Sequence, residues 1–192
     1  AQFEDDGRVE SALLDIFEKD SSYYAQAEAV RSLVKLKSEK SHDVCVKALF
    51  MQSYNDVIRE AAFDGFIRLK DPRGIDHAIV WAAYGRPIIG RTHAIRALGK
   101  LVKYDESRKE EIYERLISFL DENHFRIRNA AVKALGYLGN PAVVPQLEKM
   151  AANEYHFRWK EIIDKAIKKI KSKNAKNHNG EPFTADSLGT SF

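Results

Sequence analysis

The stretch Ile127-Arg128-Asn129-Ala130-Ala131-Val132-Lys133-Ala134-Leu135-Gly136-Tyr137-Leu138 decides the fold, because four other segments of the chain align with its second half. They are A-E-A-V-R-S-L-V-K-L ending at Leu36, A-A-F-D-G-F-I-R-L ending at Leu69, H-A-I-R-A-L-G-K-L ending at Leu101 and I-I-D-K-A-I-K-K-I ending at Ile170. The equivalent positions Leu33, Phe66, Leu98, Leu135 and Ile167 are 33, 32, 37 and 32 residues apart. A period of that size is one pair of helices, and it sets the architecture before any finer reading does.

Four residues before each anchor stands Ala29, Ala62, Ala94, Ala131 or Ile163, and three after it an aliphatic residue. Spacings of three and four put all three on one helical face, and alanine there lets neighbouring helices approach closely. Gly99 and Gly136 follow two of the anchors, and Gly139-Asn140-Pro141 reads as a helix stop and restart. Apolar residues at helical spacing also mark a first helix for each repeat, over Val9 to Glu18, Asp43 to Gln52, Arg73 to Ala83, Glu106 to Leu120 and Ala142 to Ala151. Turns rich in Ser, Asn, Asp, Gly and Pro separate the segments, and no alternating strand pattern of useful length occurs. A single pair cannot bury its apolar face alone, so neighbours must stack into a continuous core. The expectation is one all-α solenoid domain over 7–172, with repeats near 7–37, 41–70, 72–103, 105–139 and 141–172. The aperiodic 173–192 is expected to be a flexible tail.

Composition agrees: 44% of the 192 residues are hydrophobic and 31% charged, which suits helices with one face in water. The lone Cys45 lies in the apolar-periodic D-V-C-V-K-A-L-F, where a buried, inert thiol is expected and a reactive one is the alternative. No run is long and apolar enough for a membrane span, and the acidic opening F-E-D-D-G-R is unlike a signal peptide, so a cytoplasmic location is expected. The start at Ala1 suggests a cut from something larger. A net charge of +3 does not by itself argue for nucleic acid.

The segment Ile127 to Leu138 resembles the second helix of a HEAT repeat. Two further stretches, Ser21 to Leu33 (S-S-Y-Y-A-Q-A-E-A-V-R-S-L) and Ala83 to Leu101 (A-Y-G-R-P-I-I-G-R-T-H-A-I-R-A-L-G-K-L), resemble the HEAT-like carboxy-terminal domain of aminopeptidase N family zinc peptidases. That group includes the tricorn-interacting factors and a related transcription-initiation subunit. The resemblance covers roughly 7–172 and implies that this chain is the non-catalytic solenoid of a larger enzyme whose zinc lies elsewhere. The family's H-E-x-x-H is absent: none of the histidines at 42, 77, 93, 124, 156 and 178 is followed by Glu or has a second His four residues on. No cofactor or metal is expected in this chain. The expected partner is a protein or peptide, including the catalytic domain of the parent chain, with no membrane. Phosphate-binding loops, nucleophile elbows and C-x-x-C pairs are also absent, and the chain is expected not to be an enzyme.

One charge pattern stands out. Arg31, Asp64, Arg96, Lys133 and Lys165 precede the anchors by two, and Lys35, Arg68, Lys100, Tyr137 and Lys169 follow them by two, so each pair shares a helix face. Stacking would align them into a basic ridge on the concave side, fit to hold an acidic peptide, a carboxy terminus or a phosphate backbone. An ordinary solvated helix face presents the same residues. A second column, seven before the anchors, holds Gln26, Arg59, Arg91, Arg128 and Lys160. Its arginines are expected to bond carboxylates or turn carbonyls, with Asp56 and Asn123 as candidates. Tyr155, His156, Phe157 and Trp159 are expected to close the core at the end of the rod. Trp81 and Tyr84 are expected to pack under a loop, and His93 to be a satisfied boundary histidine.

Two functions fit these residues. The first is a scaffold that walls a peptide chamber or binds a protein on its concave face. The alternative is a nucleic-acid-binding protein similar to the HEAT-like alkylpurine DNA glycosylases, gripping a duplex with the ridge.

Overall fold

The computed structural model describes residues 7–178 of the chain. Ten α-helices form five antiparallel pairs among these residues: α1 Gly7–Lys19 with α2 Tyr23–Leu36, α3 Ser41–Phe50 with α4 Val57–Leu69, α5 Gly74–Ala82 with α6 Ile88–Leu101, α7 Lys109–Ser118 with α8 Phe125–Leu138, and α9 Val144–Ala152 with α10 Phe157–His178. The all-α solenoid expected from the spacing is the fold found. Each first helix packs on its own second helix. The second helices also touch one another in sequence from α2 to α10, while first helices make no comparable contact with each other. The layer of second helices is therefore the short, inner side of the rod.

The repeat columns explain this asymmetry. Leu33, Phe66, Leu98, Leu135 and Ile167 are buried, as are Ala29, Ala62, Ala94, Ala131 and Ile163. Burying each anchor stabilises the fold by roughly 1.5–3 kcal/mol. Gly99 shows how tight the inner layer is: a Cβ there would stand 2.5 Å from the Ala134 carbonyl oxygen. Leu36 and Leu69, three after their anchors, are only half-buried because they end their helices.

Helix ends follow local chemistry. Lys37 and Lys70 close α2 and α4 in the left-handed conformation. The next amide then turns back on the anchor, Ser38 N–H to the Leu33 carbonyl at 3.2 Å and Asp71 N–H to the Phe66 carbonyl at 3.0 Å. Gly139 ends α8 in the same conformation at φ 83°, with its own N–H donating to the Leu135 carbonyl at 2.9 Å. Of the first helices, α5, α7 and α9 are shorter than the apolar periodicity suggested, whereas α1 is longer and α3 is shifted by two residues. α7 is flanked by 3-10 turns at Glu106–Arg108 and Phe119–Asp121, and α9 begins only after one at Pro141–Val143. Conversely, α10 runs to His178, six residues past the expected end. The remainder of the expected tail, 179–192, lies outside the described residues.

Candidate functional site

The arginine column lies at the turns inside each repeat, where the first helix hands over to the second. Arg59 Nε donates to the Leu49 carbonyl at 2.8 Å and Nη2 to Met51 at 3.3 Å. Arg91 Nε donates to Ala82 at 2.9 Å, and Arg128 Nη1 to Glu122 and Asn123 carbonyls at 2.7 and 3.0 Å. Gln26 Nε2 donates to the Phe17 carbonyl at 3.2 Å. Each side chain thus meets carbonyls that the end of a first helix leaves unpaired. Arg59 also pairs with Asp56, and Arg91 reaches into the next repeat to pair with Glu122. Lys160 occupies the fifth place and is exposed.

The inner charge column divides into three parts. In the first, Arg31 pairs with Glu28 at 2.6 Å, and Arg31, Lys35 and Arg68 share a hollow of about 500 Å³ with the carboxylates of Glu28 and Asp64. In the middle, Arg96 Nη2 donates to Asp64 of the preceding repeat at 2.8 Å and lies 4.0 Å from Glu60. His93 faces the same Glu60 at 3.7 Å, and burial holds its imidazole below the ordinary histidine range. These pairs neutralise much of the column there.

The last part is different. Tyr137 of α8 holds cations on its ring, with Lys169 Nζ 3.3 Å and Lys100 Nζ 4.9 Å from the ring centre. Its backbone carbonyl accepts a hydrogen bond from Lys173. Burial, with Lys173 and Lys100 nearby, holds the Lys169 ammonium below the usual lysine range. Two hollows adjoin at Tyr137 and Lys133. One, of about 290 Å³ between α6 and α8, is lined by Thr92, His93, Arg96, Arg126, Asn129 and Ala130 as well. The other, of about 210 Å³ between α8 and α10, is lined by Gly136, Ile162, Lys165, Ala166 and Lys169 as well. No carboxylate lines either one. Lys165 is spoken for by Glu161 at 2.6 Å, but Arg126, Lys133, Lys100 and Lys169 have no ion-pair partner among the described residues. The structure therefore brings Lys100, Lys133, Tyr137 and Lys169 together with Arg126, which the column reading did not include. Arg126 sits one residue past the start of α8, outside the repeat spacing.

The aromatic expectations need correction. Trp159 is buried against Phe125, ring centres 5.2 Å apart, but Tyr155 and Phe157 are exposed and do not close the core. Trp81 is buried beneath Arg59 and Arg86, at 3.9 and 4.7 Å, while Tyr84 stands 88% exposed. The reason is position: only residues on the inward side of a helix, as Trp81 and Trp159 are, reach the core, whereas Tyr84 and Tyr155 stand in turns. Among the described residues no group of three or more His, Cys, Asp and Glu is placed to hold a metal ion.

The family model for HEAT repeats matches residues 78–166. No curated protein matches the chain. A solved structure, that of the complex of CpcE and CpcF of phycocyanin lyase from Nostoc sp. PCC7120, is similar with a TM-score of 0.64 at 22% identity, covering 84% of this chain and 99% of that one. These matches overturn the resemblance to aminopeptidase N zinc peptidases, since neither carries any link to such an enzyme. The expectation of a non-enzymatic chain falls as well, because the similar fold comes from a lyase complex. What this chain shares with known proteins is HEAT repeats over 78–166 and a helical fold that covers 99% of a chain found in such a complex.

Proposed function

We propose that this chain is a scaffold that binds an acidic segment of a protein partner on its inner face, in the basin around Tyr137. The observation that carries this reading is the pair of adjoining hollows lined by cations and by no carboxylate. Three of the cations that line them, Arg126, Lys133 and Lys169, have no ion-pair partner among the described residues, so an incoming carboxylate gains attraction without displacing a bound one. The apolar walls, Ala130, Ile162 and Ala166, suit a peptide backbone with aliphatic side chains between its charges. The hollow at Arg31, Lys35 and Arg68 is less suited to this role, because the carboxylates of Glu28 and Asp64 line it and would repel an acidic segment.

The test is titration of a glutamate-rich peptide by calorimetry at two salt concentrations. Binding is expected to weaken as salt rises. Lys133→Met with Lys169→Met should weaken it about tenfold or more, the two solvent-screened charge pairs each contributing roughly 1 kcal/mol. Lys35→Met should leave it unchanged. Equal binding by the double variant, or binding of duplex DNA with none of the peptide, overturns the reading.

The likeness to a chain of phycocyanin lyase favours a finer reading. In it the bound partner is the protein on which a lyase-type activity is exercised, and this chain acts together with a second subunit. Co-sedimentation with purified phycocyanin, lost in the double variant, supports it; retention of phycocyanin by the double variant counts against it.

A further inference from the structure

The large apolar side chains left exposed are not scattered. Among the described residues there are ten, and every one lies within four residues of a turn inside a repeat: Tyr24 by the first, Phe50 and Tyr54 by the second, Tyr84 by the third, Phe125 by the fourth and Tyr155 by the fifth, with the other four beside them. The turns between repeats carry none. Because every pair is antiparallel and the pairs stack, the five inner turns share one long edge of the rod. At roughly 8–10 Å per stacked helix the strip is about 40 Å long.

The edge is also stiff. The arginine column fastens each turn from within, and aromatic contacts run from repeat to repeat: Phe50 edge-on to Trp81 at 6.2 Å, Arg91 against both Tyr84 and Phe119 at 5.8 and 5.9 Å, Phe125 edge-on to Trp159. Such a surface loses little side-chain freedom on being covered. With these side chains between 37% and 102% exposed, and large aromatics offering roughly 200 Å² each, the strip presents on the order of 1,000 Å², above the roughly 800 Å² per partner of a standard interface.

Charge along the strip identifies the occupant. Around the first turn Asp15 pairs with Lys19 and Glu18 with Lys47, which leaves Asp20; around the last, Glu148 pairs with Lys171 and Glu161 with Lys165, which leaves Arg158 and Lys160 against Glu154. Asp20, Arg158 and Lys160 are exposed and form no ion pair among the described residues. A second copy laid antiparallel sets the acidic end of each strip on the basic end of the other, whereas a parallel copy sets like on like. We propose that two copies of this chain pair antiparallel, edge to edge, about a two-fold axis at Tyr84. A two-fold pairing is isologous, so the central residue meets its own equivalent and each end contact occurs twice.

Sedimentation equilibrium of the full chain tests this. The expected result is a dimer. Tyr84→Glu, which puts two like charges on the axis in place of two aromatic anchors, should raise the dissociation constant about 100-fold or more. Asp20→Arg should raise it about tenfold, and adding Arg158→Asp should restore it, because the two ends are exchanged and still complementary. All three residues are exposed, so circular dichroism should show unchanged helix content. A monomer at every concentration, a dimer indifferent to Tyr84→Glu, or a double reversal no tighter than Asp20→Arg alone overturns the proposal. So does a chain that stays monomeric while its edge binds a different protein.

Discussion

Gly99 of α6 and Ala134 of α8 touch backbone to backbone: a Cβ on Gly99 would stand 2.5 Å from the Ala134 carbonyl oxygen and 2.7 Å from its Cα. Neither atom can swing aside, so Gly99→Ala forces the two inner helices apart. Overpacking of this kind costs about 1–3 kcal/mol, against which the helix-propensity gain of about 1 kcal/mol is insufficient. Gly136 makes the equivalent contact one repeat later, but its added Cβ would meet Ala166 at 3.3 Å. There a small shift is enough, so Gly136→Ala should be close to neutral. Thermal melts of the two variants should separate, with only Gly99→Ala lowering the midpoint, by roughly 2–4 °C for each net kcal/mol lost.

That contact was legible only in part. The alanine column and the glycines after Leu98 and Leu135 announced close inner packing, because a repeat leaves the same trace five times. The exposed aromatic edge was not legible, since an aromatic residue at a helix start has the same local pattern whether it turns in, as Trp159 does, or out, as Phe157 does. Arg126 escaped notice for a related reason. It joins the Tyr137 basin through the spacing between helices, which no column records. The neutralised middle of the ridge was visible in principle, because Asp64 stands in the same column as Arg96, one repeat earlier.

Arg91 is 2% exposed and connects two repeats, donating to the Ala82 carbonyl and to both oxygens of Glu122. Arg91→Met leaves the carbonyl and the carboxylate without their donor and should cost about 3 kcal/mol. Arg91→Lys should recover little of it, because an ammonium cannot serve both acceptors in the plane a guanidinium does. Urea unfolding of the two variants gives the comparison; a stable Arg91→Lys protein would show that only the charge matters.

Acid should destabilise the protein in two stages. Burial lowers the His77 and His93 imidazoles below their ordinary value of 6.5. The unfolded chain therefore binds these protons first, and stability present above that pH falls as pH drops below it. At Asp71 burial opposes ionisation, but hydrogen bonds from Arg73 and His42 outweigh it and hold the carboxyl below its usual value of 3.8. Its contribution is present above that pH and is lost on further acidification. Melting midpoints should decline from neutral pH toward 5 and again below 4. His77→Gln with His93→Gln should flatten the first decline and leave the second.

Cys45 is fully buried, and burial pushes its thiol up to about 12. A Cβ on neighbouring Gly65 would lie 2.4 Å from its sulfur, so no space surrounds it for a reagent. A thiol reagent should react with the native chain only as fast as the chain opens, and at once in denaturant. Rapid modification at neutral pH without loss of helix signal would contradict this placement.

Trp159 and Tyr155 separate what holds the last repeat from what it displays. Trp159 is 5% exposed and seals α10 against Phe125 at the entrance to α8, so Trp159→Ala opens a cavity at the junction of the last two repeats. It should cost about 3–5 kcal/mol, as truncation of a buried large aromatic does. In a solenoid that loss is felt mainly by the terminal unit, so α9 and α10 should gain amide exchange before α2 to α6 do. Tyr155 is 102% exposed and touches nothing that it could stabilise. Tyr155→Ser, measured at a concentration where the chain is monomeric, should fall within about 0.5 kcal/mol of the parent. If both variants unfold alike, the last turn is packed differently from the arrangement described, and its aromatic residues belong to the core after all.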